Sequence, residues 1–68
     1  MGIHEVSTEQ IIDFIYSYRF QVWANPYAVH NLVMIAELVR SHADKQTILD
    51  RVDTPELSPM RAILDLVL

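Results

Sequence analysis

Three histidines, His4, His30 and His42, stand with the carboxylates of Glu5 and Glu37 as the side chains of this chain that could hold a metal ion. Two ligands on one helix face need an i, i+4 or comparable spacing with a third donor close by, and no pair here has it. His30 and Glu37 share a face but sit two turns apart, roughly 10 Å along the axis, with Met34 between them. No metal site is expected. Nucleophilic catalysis needs a nucleophile, an adjacent base and a group to orient it, whereas Ser7, Ser58 and Thr54 are accounted for by caps and turns. Asp50 and Asp53 have i, i+3 spacing but lie near a helix end, in solvent. A single glycine in the whole chain leaves no loop to cradle a phosphate. The expectation is a protein that is not an enzyme and takes no cofactor.

What the sequence does concentrate is binding energy. All six aromatic residues, Phe14, Tyr16, Tyr18, Phe20, Trp23 and Tyr27, fall within fourteen positions. Aromatic side chains bury the most area per residue and dominate cores and interfaces alike. Tyr16, Tyr18, Arg19, Phe20 and Trp23 have the composition of an interface hot spot, where Trp, Tyr and Arg are enriched. These five are the candidate partner-binding residues. The same residues would also make a serviceable core, so composition alone leaves that alternative open.

Composition favours a partner. Sixty-eight residues allow one domain at most, and a chain this short buries only about 60% of its unfolded surface. Disulfides and thiolate zinc sites are excluded because there is no cysteine. A hydrophobic fraction of 51% is high for so little interior, so an apolar surface shared with another chain is expected. The formal charge of −4 and five scattered bases disfavour nucleic acid, which demands a concentrated basic face. No apolar run is long enough to span a bilayer, and Met1 to Glu5 lacks the basic region of a signal peptide. Gly2 is not read as a myristoylation start, since position 6 holds Val6 rather than Ser or Thr. A cytoplasmic location without membrane contact is expected.

The elements that must carry these residues are helical. Ser7 and Gln10 have the spacing of a capping box, which starts a first helix near Thr8. Residues 14 to 22 alternate as a strand would, but at 100° per residue Gln10, Asp13, Ser17, Gln21 and Ala24 gather into one arc of roughly 80°, and a first helix over 8–24 follows. It is apolar on two sides. Ile11, Phe14, Ile15, Tyr18 and Val22 form one stripe, and Ile12, Tyr16, Phe20 and Trp23 form another, with Arg19 between them. Asn25 and Pro26 read as N-cap and first helical residue of a second helix reaching about His42, with a core stripe of Ala28, Val29, Leu32, Ile35, Ala36 and Val39. So short a link allows either a tight antiparallel hairpin or a bend with one helix continuing roughly in the direction of the other, and the hairpin is expected.

Further along, the signals thin out. A break over Ser41 to Asp44, with Asp44 capping a short helix that holds Ile48, Leu49 and Val52, competes with one unbroken helix over 26–52. Ser58 and Pro59 repeat the cap-then-proline pattern, so a last helix carrying Met60, Ile63, Leu64 and Val67 is expected from 59. Its apolar end either docks or belongs to a piece of a longer chain. Asn31 and His42 interrupt the apolar flanks of the second helix and are expected at the partly exposed core edge; a buried hydrogen bond across an interface is the alternative.

The fold class expected is thus all-α: one small domain over 1–68 with three or four helices around a hairpin, dimeric with its first helix near the centre. Its expected work is to bind another protein as a regulator, inhibitor or adaptor, by covering part of it. A docking or oligomerisation domain of a larger protein is the alternative. A helix-turn-helix DNA-binding regulator centred on Ser41 to Asp53 is a weaker one, because Lys45 and Arg51 are too few phosphate contacts.

Overall fold

A computed structural model describes residues 6–68; His4, Glu5 and the Gly2 position lie outside the described residues. The helices are α1 (Thr8–Ser17), α2 (Arg19–Val22), α3 (Pro26–Arg40), α4 (Lys45–Arg51) and α5 (Ser58–Val67), with a 3₁₀ turn at Pro55–Leu57. No strand occurs among the described residues, so the chain is a small all-α fold. Because α2 continues α1 across one irregular residue, the architecture amounts to four helices.

The capping box forms as its spacing requires. The Gln10 amide donates to Ser7 Oγ at 3.2 Å and the Ser7 amide to Gln10 Oε1 at 3.0 Å, which satisfies two orphan donors at the start of α1. The first helix does not run unbroken to residue 24. At Tyr18 the ladder tightens, with the Tyr18 amide donating to Ile15 O three residues back and the Gln21 amide to Tyr18 O, and helix resumes only to Val22. Neither glycine nor proline marks the spot. What accompanies it is packing, for the Tyr18 ring sits edge-on against Phe14 with centroids 5.6 Å apart.

Asn25 caps α3 by accepting from the Ala28 amide, and Pro26 occupies the first turn. With only Trp23 to Asn25 as a link, α1 and α2 fold back along α3. The phenol of Tyr16 lies near Arg40 at the far end of α3. Ala28, Leu32, Ile35, Ala36 and Val39 of α3 close on Ile11, Ile12, Ile15, Tyr18 and Val22. Ile48, Leu49, Val52, Leu57, Met60 and Leu64 complete one continuous core. The Cα radius of gyration is 11.4 Å, beside about 11 Å for a compact chain of this length. The single chain closes its own interior.

The long unbroken helix over 26–52 does not form. After the C-cap Ser41, the His42 amide donates to Val39 O and the Ala43 amide to Leu38 O, the paired bonds of a Schellman turn. That turn needs a left-handed residue, usually glycine, and here His42 takes it at φ 62°. A side chain in that conformation costs roughly 1 kcal/mol. α4 follows with Asp44 at its cap, where the carboxylate accepts from Thr47 Oγ1 at 2.8 Å and not from a backbone amide. That bond holds the Asp44 carboxyl below its usual value. The last helix also departs from expectation at its start. Leu57, at the end of the 3₁₀ turn, holds the cap position of α5, and Ser58 is its first residue, so no side chain caps it.

A further correction concerns Asn31. It is 3% exposed, well inside the edge position expected of it, while His42 is exposed as expected. Its Nδ2 donates to Thr54 Oγ1 at 2.8 Å and to Asp53 Oδ1 at 3.2 Å. Thr54, itself buried, is therefore more than a turn hydroxyl. A buried amide left alone would cost about 1–3 kcal/mol, and this network removes that cost by fastening α3 to the segment ahead of α5.

Candidate protein-binding surface

The five candidate binding residues do not stay together. Tyr18 belongs to the core, 9% exposed and edge-on against Phe14, which removes it from any docking surface. Tyr16 is partly buried against the core, with its phenol near Arg40. The charge of Glu37 holds the Arg40 guanidinium above its usual value, and the two make an ion pair at 3.0 Å. Arg19, Phe20 and Trp23 are exposed.

The sorting follows from geometry. The first stripe of the opening helix faces α3 and fills the interior; of the second stripe, only Ile12 reaches the core fully. Phe20 is 71% exposed and Trp23 77%, and Tyr27, one turn beyond the link, is 60% exposed. All three belong to the corner where α2 turns into α3. Fully exposed, such rings present about 150–250 Å² each, so the three together leave about 300–500 Å² in water. That total is of the order of the largest apolar patch on a typical monomer, a size that is often functional.

Arg19 is built into this corner. Its Nη1 donates to the Tyr16 carbonyl at 3.1 Å, and its guanidinium lies 4.5 Å from the centre of the Phe20 ring. Cation and ring thus orient each other even in water. Asn25 supports the corner from the other side by donating to the Glu56 carboxylate in the 3₁₀ turn.

A second apolar area lies on α5. Pro59, Ala62, Ile63 and Leu66 fall on one side of that helix and are all exposed, Leu66 to 85%. Met60 and Leu64 face inward. Of the apolar residues expected on the last helix, Ile63 is 40% exposed.

Among the described residues no cluster of three or more His, Asp or Glu could hold a metal ion. No helix among them is long and apolar enough to cross a membrane. No family model, curated protein or solved structure matches the chain.

Proposed function

We propose that this is a small non-enzymatic protein that acts by binding another protein through the aromatic corner, as a regulator, inhibitor or adaptor. The observation that carries the reading is the exposure of Phe20 and Trp23 in a chain whose core is already closed. Leaving two such rings in water forgoes several kcal/mol of burial, and a partner that covers them recovers it. Trp, Tyr and Arg are the side chains enriched among residues that dominate interface energetics, and Trp23, Tyr27 and Arg19 are all exposed here.

The test is capture of binding proteins from native extract on the immobilised chain, run beside Trp23→Ala and Phe20→Ala. Each variant should keep the helical circular dichroism and melting behaviour of the parent while losing the captured protein. A partner retained equally by both variants would remove the corner from the interface.

The apolar side of α5 favours self-association as a second reading, in which the chain is an oligomerisation or docking module. Light scattering on the parent and on Leu66→Glu separates the two, since only self-association through α5 predicts a mass that falls with the substitution.

A further inference from the structure

From Phe14 to Ala36 the sequence holds one residue among Lys, Arg, Asp and Glu, and it is Arg19. Glu56, the carboxylate that the fold brings to the corner, accepts from Asn25. The ion pairs among the described residues are Arg40 with Glu37 and Lys45 with Asp65, and Arg19 has no anionic partner among those residues. It is nevertheless held in place by the Tyr16 carbonyl and the Phe20 ring. One donor of the guanidinium is used there, and the fork has five.

Any occupant of the aromatic corner must deal with that charge. The guanidinium lies against Phe20, so a surface that covers the ring also takes Arg19 out of water. Burying an unpaired cation costs more than covering the ring returns, unless the occupant supplies an acceptor. A carboxylate matches the planar fork with two parallel hydrogen bonds, and a side chain already oriented loses little freedom in making them. A two-fold pairing of this face with itself meets the same test poorly, because it brings a second Arg19, and the one carboxylate at the corner, Glu56, lies on its other side and already accepts from Asn25.

We infer that the partner segment is an acidic amphipathic peptide, with at least one Asp or Glu set among apolar residues to pair with Arg19 while its neighbours cover Phe20 and Trp23. The inference rests on the reading of the corner as the docking surface. Trp23, the single tryptophan of the chain and an exposed one, gives the readout directly.

The experiment is peptide display against the full chain, with the selected peptides then synthesised and titrated while Trp23 emission is followed. Selected peptides should carry a carboxylate between apolar positions and should shift the emission to shorter wavelength. Exchanging that Glu for Gln in the peptide, or Arg19→Gln in the protein, should weaken binding about 10- to 100-fold, the range for a charge-assisted hydrogen bond. Arg19→Lys should recover only part of this, and added salt should weaken the parent more than the Arg19→Gln variant. If neutral apolar peptides bind as tightly as acidic ones and Arg19→Gln changes nothing, the acidic partner is overturned and the docking surface stands. If no selected peptide depends on Trp23, both fall together.

Discussion

At its C-terminal end α3 stops in a Schellman turn that returns the Ala43 amide to Leu38, and α4 then packs back against it. At its N-terminal end Asn25 caps the helix just as soundly, yet Phe20, Trp23 and Tyr27 stand in water beside it. Backbone satisfaction does not separate the two ends. Side-chain coverage does, because Phe20, Trp23 and Tyr27 remain exposed at the second end although Asn25 meets Glu56 of the 3₁₀ turn there. Sound local structure and complete apolar burial are thus separate requirements, and a region that meets the first but not the second has surface to offer.

The sharpest way to test the separation of core from corner is to truncate one buried ring and one exposed ring. Tyr18→Ala should cost about 3–5 kcal/mol, as for other buried aromatics, which is a large part of the stability of so small a domain. Chemical denaturation followed by circular dichroism would show it, and a loss under about 1 kcal/mol would put Tyr18 back on the surface. Asn31→Ala should cost about 1–3 kcal/mol by the same measurement, since it leaves Thr54 buried without its donor. His42→Gly should raise stability by roughly 1 kcal/mol, because glycine takes the left-handed turn at the closed end without the penalty of a side chain. A lowered melting temperature would mean that His42 holds that turn for some other reason. Trp23→Ala should change folding stability by less than about 0.5 kcal/mol, and a larger loss would make the open corner part of the core.

The smallest effect concerns acid. Thr47 holds the folded Asp44 carboxyl below its ordinary value of 3.8, so the stability this gives is fully present above pH 3.8 and is lost as pH falls through the folded value. NMR titration of the Asp44 side chain should show the depressed midpoint, and Thr47→Val should return it toward 3.8.

Much of the fold was legible because its signals are local. Ser7 with Gln10, and Asn25 with Pro26, announce helix starts by chemistry completed within one turn, and the inner faces of α1 and α3 follow from a 3.6-residue repeat. The end of α3 was harder, because His42 fills a position that sequence reasoning reserves for glycine. The break at Tyr18 and the absent cap at Ser58 depend on how neighbouring segments pack. Asn31 finds its partners more than twenty residues away, which no local pattern reports. For the candidate site, periodicity showed that the opening helix is apolar on two sides. It could not show that Tyr18 would fall inside while Phe20 and Trp23 stayed out, because that depends on where α3 runs.

The separation of the aromatic corner from the core also bears on how the chain folds. A side chain that remains in water in the native state has few native contacts to form on the way there, so substitutions at Phe20 and Trp23 should leave folding and unfolding rates nearly unchanged. The corner can then vary, and the partner with it, while the time the chain takes to reach its fold stays the same.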